Sequence, residues 1–213
     1  MTLNERFEAL LQNLPLVAIL RGVTPEEVVA VGQVLYQAGF RIIEVPLNSP
    51  EPMLSIRRLR DSLPDDCIVG AGTVTSAAQV GEVQAAGGEI IVMPHADAAV
   101  IGAAKAAGLL CAPGIATPTE AFAALAAGAD ALKLFPAELL SPAVLAALRS
   151  VVPPETVMLP VGGITPDNMT PYLKAGARGF GLGSALYRAG QSLAQTEANA
   201  QRFAMAWQAV RRG

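Results

Sequence analysis

Lys133 stands in Ala131-Leu132-Lys133-Leu134-Phe135-Pro136-Ala137, an otherwise apolar run with the look of a buried strand. Burying an ammonium is costly unless it is paired or neutral, so a lysine at such a place points to chemistry. Aliphatic neighbours lower its pKa, which supplies the neutral amine that attacks a carbonyl and forms a Schiff base. The chain has two other lysines, Lys105 and Lys174, each just ahead of an Ala-Ala-Gly or Ala-Gly helix end. Both are expected to be solvated cations near a C-terminal helix dipole.

The elements that must hold Lys133 recur along the chain. β-rich runs cover Leu16 to Arg21, Arg41 to Leu47, Cys67 to Thr73, Glu89 to Pro94, Leu109 to Pro113, Ala131 to Phe135, Val157 to Val161 and Gly179 to Gly183. Between them lie Ala- and Leu-rich stretches of helical periodicity, opened by signals such as Thr24-Pro25-Glu26-Glu27, Ser141-Pro142 and Thr165-Pro166-Asp167. Several close on a glycine, at Gly39, Gly87, Gly108, Gly128 and Gly176. Eight parallel βα units with right-handed crossovers predict an α/β chain folded as a (β/α)8 TIM barrel, a single domain over residues 1–213. Residues before Leu16 are expected to form an extra N-terminal helix across the barrel bottom, and Leu193 to Arg212 the last helix, with Phe203 and Trp207 on one face. A doubly wound open sheet is the alternative, because even spacing does not by itself prove closure.

In a barrel the chemistry gathers at the C-terminal strand ends, and there stand Arg21, Glu44, Thr73, His95, Lys133, Gly162-Gly163 and Gly183-Ser184. Strand parity sends Lys133 inward with Ala131 and Phe135, and Glu44 inward with Ile42, so the two look across one cavity. Glu44 has a plainer alternative as counter-ion of Arg21, and Thr73 one as a helix cap. His95, the single histidine, reads as wall of the mouth more than as catalyst. The glycines after strands seven and eight leave backbone N–H groups for a phosphate, with helix N-termini expected to follow.

Composition narrows the classes. Apolar residues make up 52% of 213 and charged residues 15%, with a net charge of -3 and no basic stripe for nucleic acid. No run approaches a membrane span and no leader pattern opens the chain, so a cytoplasmic enzyme is expected. Cys67 and Cys111 are too far apart in sequence for a metal knuckle and read as buried thiols. One histidine and no clustered carboxylates lead us to expect no metal, and the lysine chemistry calls for no other cofactor.

At these residues the chain resembles the class I 2-keto-3-deoxy-6-phosphosugar-acid aldolases along nearly its whole length. The matching stretches are Ala18 to Gly22, Ile43 to Pro50, Val69 to Val74, Pro113-Gly114, Lys133 to Ala137 and Val161 to Gly163. The resemblance implies that Lys133 is the Schiff-base residue and Glu44 the proton-transfer residue. It also implies that Arg21 and Thr73 hold a carboxylate, that the Gly162-Gly163 and Gly183-Ser184 loops hold a phosphate, and that the protein is a homotrimer. Pro113 and Val161 join the expected substrate-binding residues, as does Asn48, where sister enzymes commonly carry arginine. The implied reaction is reversible cleavage of a phosphorylated keto acid to pyruvate and glyceraldehyde 3-phosphate. Glu44-Val45-Pro46-Leu47-Asn48 and Pro160-Val161-Gly162-Gly163 look like the galactonate branch, the gluconate branch being the alternative. Another phosphate-binding barrel enzyme, such as an epimerase, or a non-catalytic phosphosugar binder would keep the glycine loops without needing Lys133 to face Glu44.

Overall fold

A computed structural model describes residues 1–212, so Gly213, the last residue of the expected domain, lies outside the described residues. Strands β1 (Leu16–Ile19), β2 (Ile42–Pro46), β3 (Ile68–Gly72), β4 (Ile90–Val92), β5 (Leu110–Ala112), β6 (Gly114–Ile115), β7 (Leu132–Leu134), β8 (Met158–Pro160) and β9 (Phe180–Leu182) are all parallel to their neighbours. The helices are α1 (Leu3–Asn13), α2 (Val28–Gln37), α3 (Pro52–Ser62), α4 (Ala77–Ala85), α5 (Ala98–Ala106), α6 (Pro118–Ala126), α7 (Pro142–Arg149), α8 (Met169–Lys174) and α9 (Leu193–Arg212).

The strands form two sheets, a curled one in the order β5-β4-β3-β2-β1-β9 and a smaller one in the order β6-β7-β8. Every predicted run carries a strand, but the fifth is split. Pro113 stands between β5 and β6 and has no N–H to donate to a ladder, so the chain changes sheets there. Its carbonyl still accepts a hydrogen bond from the Lys133 N–H at 2.9 Å. On the other side, Val161 just past β8 bridges Gly181 of β9.

Alternation along the strands sorts two apolar layers. Val17, Ile42, Ile68, Ile90, Leu110, Ala131 and Leu159 share an inner cluster, which Phe7 and Leu11 of α1 join. The expected N-terminal helix therefore plugs the N-terminal end of the strands. Leu16, Ile43, Val69, Ile91, Cys111, Leu132, Met158 and Phe180 point the other way, into the larger layer beneath the outer helices. Cys67 and Cys111 are buried, and burial pushes both thiols up to about 12.

The five glycine stops all have φ between 72° and 101°, the left-handed region that ends a helix. Phe203 and Trp207 share a buried face of α9, and the Trp207 indole donates to the Asn13 carbonyl at 2.8 Å, tying α9 to the end of α1. Two local expectations change. Lys105 is not simply solvated: it donates to the Leu109 carbonyl at 3.0 Å and pairs with Asp130 at 2.6 Å, whose carboxylate also accepts from the Cys111 N–H. No helix directly follows β9, because Gly183 to Tyr187 close a single turn and Gly190, at φ 75°, separates it from α9.

Candidate active site

Glu44 is the inward residue near the end of β2, 2% exposed, with Ile43 and Val45 facing the helices. Its carboxylate occupies room left by a glycine: a β-carbon at Gly72 on the neighbouring β3 would lie 2.6 Å from Glu44 Oε2. Lys133 is the inward residue of β7, 6% exposed, with its ammonium 4.5 Å from the centroid of the Phe135 ring. A ring face at that distance attracts a cation and still leaves the nitrogen lone pair for chemistry when the amine is neutral.

Both side chains border one internal cavity of about 20 Å³, whose walls include Val17, Ile90, Val92, Ala112, Leu159 and Val161. That volume suits about one water. Among the described residues no ion pair joins Glu44 to Lys133 or to Arg21, and Glu44 Oε2 has no hydrogen-bond partner. Burial raises the Glu44 carboxyl above the usual carboxylate range, opposed by the charges of Lys133 and Arg21. Burial likewise lowers the Lys133 ammonium, opposed by Glu44 and reinforced by Arg21. Each group is thus moved toward its neutral form, which makes the lysine a better nucleophile and the glutamate a better proton shuttle near neutral pH.

Above the pair opens a cleft of about 310 Å³ at the C-terminal strand ends, bordered by Arg21, Lys133, Phe135, Val161, Gly162, Gly163, Gly183 and Ser184. Gly162 and Gly163 have φ of 107° and 61°; the Gly162 N–H belongs to the Val161–Gly181 bridge, and among the described residues the N–H groups of Gly163 and Ser184 have no protein partner. A groove of about 460 Å³ lies at the opposite end beside Asn13 and Trp207, but its lining holds no titratable side chain, so volume alone does not mark the chemistry.

The remaining expected residues surround this cleft without all entering it. Arg21 is exposed just beyond β1 and donates from Nη1 to Asn48 Oδ1 at 2.8 Å, while the Gly22 N–H donates to Ser49 Oγ at 2.9 Å. Asn48 does not border the cleft; it holds the guanidinium that does. Thr73 follows β3 in the left-handed region at φ 59°, a conformation that costs a β-branched residue energy and turns its backbone sharply. Pro113 is buried and contributes its carbonyl to Lys133, and His95 is exposed outside the cleft lining. Among the described residues no group of three or more His, Cys, Asp or Glu is placed to hold a metal ion.

A family model for KDPG and KHG aldolase matches residues 7–202, and the matched span includes both Glu44 and Lys133. The chain belongs to the KDPG and KHG aldolase family. It is a class I aldolase, a lyase that releases pyruvate and an aldehyde. It is 45% identical over 194 residues to a 2-dehydro-3-deoxy-6-phosphogalactonate aldolase of Escherichia coli K12, covering 91% of this chain and 95% of that one. A native KDPGal structure superposes with a TM-score of 0.92 at 44% identity, covering 94% of this chain and 97% of the other. The same TM-score and identity relate it to a chain of a cube-shaped, highly porous protein cage designed by fusing symmetric oligomeric domains, over 93% of this chain and 74% of that one.

Two residues of the aldolase's cleft carry no mark in the sequence reading. Glu138 lies five residues past Lys133 and Arg188 four past Ser184, and both border the mouth. The Arg188 Nε donates to the Ser184 carbonyl at 3.0 Å. The available signal was placement alone, since each lies in a loop at the C-terminal end of a strand, where barrel chemistry collects.

Proposed function

We propose that this aldolase reversibly cleaves 2-dehydro-3-deoxy-6-phosphogalactonate to pyruvate and D-glyceraldehyde 3-phosphate, with Lys133 as nucleophile and Glu44 as proton-transfer residue. The observation that carries this is a buried lysine and a buried glutamate bordering one cavity beneath a cleft with two glycine loops. Lys133 Nζ adds to the C2 ketone, and loss of water gives a protonated imine. Glu44, directly or through a water, takes the C4 hydroxyl proton as the C3–C4 bond breaks. The bonding pair moves into the C2–C3 bond while the iminium π pair settles on nitrogen, so an enamine forms and the aldehyde leaves. Protonation at C3 and hydrolysis free pyruvate and the amine. Arg21, held by Asn48, and Thr73 take the substrate carboxylate, Pro113 supports Lys133, and Gly162, Gly163, Gly183 and Ser184 take the phosphate.

The chain is a single domain in this reading, and its two sheets are one (β/α)8 barrel. The single strand interrupted at Pro113 and the Val161–Gly181 bridge support closure on the two sides. A cytoplasmic homotrimer is the assembly we infer; likeness to a cage built from symmetric oligomeric domains supports an oligomer, and family resemblance supports three copies. Among the described residues no helix is long and apolar enough to cross a membrane.

Trapping tests the mechanism. Borohydride reduction in the presence of pyruvate is expected to leave one reduced adduct, on Lys133, by peptide mass spectrometry. A label on Lys105 or Lys174 instead, or none, sinks the Schiff-base assignment.

The choice of sugar turns on Val161, which borders both the cleft and the cavity. The two candidate substrates differ in C4 configuration, and valine offers no hydroxyl to a C4 oxygen where, by the family resemblance, the gluconate branch commonly has threonine. Val161→Thr is therefore expected to shift the kcat/KM ratio toward the gluconate-type substrate by about five- to tenfold, the scale of one hydrogen bond. Better cleavage of the gluconate-type substrate by the unaltered enzyme overturns the galactonate reading.

A further inference from the structure

Glu138 brings a carboxylate to the place where the preceding reading puts a phosphate. It is exposed, and its carboxylate rests on the glycine loop: a β-carbon at Gly162 would lie 2.2 Å from Glu138 Oε2, and one at Gly163 2.7 Å from its Cγ. No hydrogen bond or ion pair among the described residues holds that carboxylate, so the side chain is seated by its backbone and by van der Waals contact alone. Beneath it the Gly163 N–H has no protein partner among the described residues. Arg188, on the far loop, borders the same mouth. An anion entering the loop meets a like charge at near-contact distance and must push it aside.

We infer that Glu138 is an intramolecular competitor for the glycine loop, one that excludes free phosphate while yielding to a phosphate tethered to the enzyme through Lys133. The inference rests on the reading of Gly162-Gly163 as the phosphate loop. A free anion reaches the loop only at its bulk concentration. The phosphate of a keto acid already joined to Lys133 arrives at an effective concentration set by a short tether, in the millimolar range or above, and so displaces the carboxylate where free phosphate does not. Glu138 is then a specificity residue that favours phosphorylated keto acids over inorganic phosphate without touching the reacting carbons.

The test is inhibition of keto-acid cleavage by inorganic phosphate at constant ionic strength, in the natural enzyme and in Glu138→Gln, which keeps the shape and removes the charge. The inhibition constant of phosphate is expected to fall about five- to tenfold in the variant, and its ratio to the substrate KM to fall with it. Loss of a merely structural contact would lower kcat or raise KM and would not tighten an inhibitor. Competition by phosphate that is equal in both enzymes, or weaker in the variant, overturns the role of Glu138 and leaves the phosphate loop standing. No competition in either enzyme overturns the phosphate loop itself, and the inference with it.

Discussion

Lys133→Ala is expected to lose aldol cleavage by several orders of magnitude while remaining folded. The covalent step has no substitute: Lys105 is held by Asp130 and the Leu109 carbonyl on the outer side of the strands, and Lys174 is exposed at the end of α8. Neither borders the cleft. Without an imine, breaking the C3–C4 bond leaves a carbanion with no electron sink, so what survives is the small acceleration from binding alone. The fold is expected to persist because removing Lys133 also removes an ammonium from an apolar wall, offsetting part of the lost packing. Steady-state cleavage kinetics and a thermal melt decide the matter together. A cooperative melt with activity within tenfold of the natural enzyme would falsify the covalent mechanism.

Glu44→Gln gives the second large loss, roughly 10² to 10⁴ in kcat, the usual worth of a positioned proton-transfer group. Glutamine fills the room beside Gly72 but cannot accept and release the proton of the C4 hydroxyl. Pyruvate trapping on Lys133 continues, more slowly, which separates this loss from that of Lys133→Ala. The pH profile supplies a sharper signature. Acting as base, Glu44 works only when deprotonated, and burial raises its pKa, so the acid limb of kcat in the natural enzyme is expected above the ordinary carboxylate range. Glutamine should abolish that limb. A variant that retains both the limb and near-normal turnover assigns the proton transfer to another group.

Much of this site was legible because strand parity is a local property. Ile42 and Glu44 inward, Ile43 and Val45 outward, follow from counting by two, and the same count turned Lys133 toward the cavity. Helix ends were legible for a similar reason, as a glycine at a left-handed position is needed wherever the chain leaves a helix. Contacts set by side-chain reach across loops were not. Nothing in periodicity shows Asn48 reaching the Arg21 guanidinium, Asp130 receiving Lys105, or Glu138 lying over Gly162. Pro113 was legible as a residue but not as an interruption, because a strand that carries a proline reads the same until its missing donor is matched to a neighbour. The helix expected straight after β9 fails through Gly190, whose positive φ is a property of the loop and not of any periodic pattern.

The hydrogen atom that Gly72 carries in place of a side chain ties two positions of the chain together across any history of substitution. With Glu44 in place, alanine at 72 drives a methyl group into the carboxylate, so the first step along that path displaces the proposed proton-transfer group. A shorter acid at 44 would vacate the space, yet taken first it draws the carboxylate back from the cavity. Neither order avoids a crippled intermediate. Glycine 72 is therefore fixed by a neighbour on the adjacent strand, and its freedom to drift depends on what stands at 44.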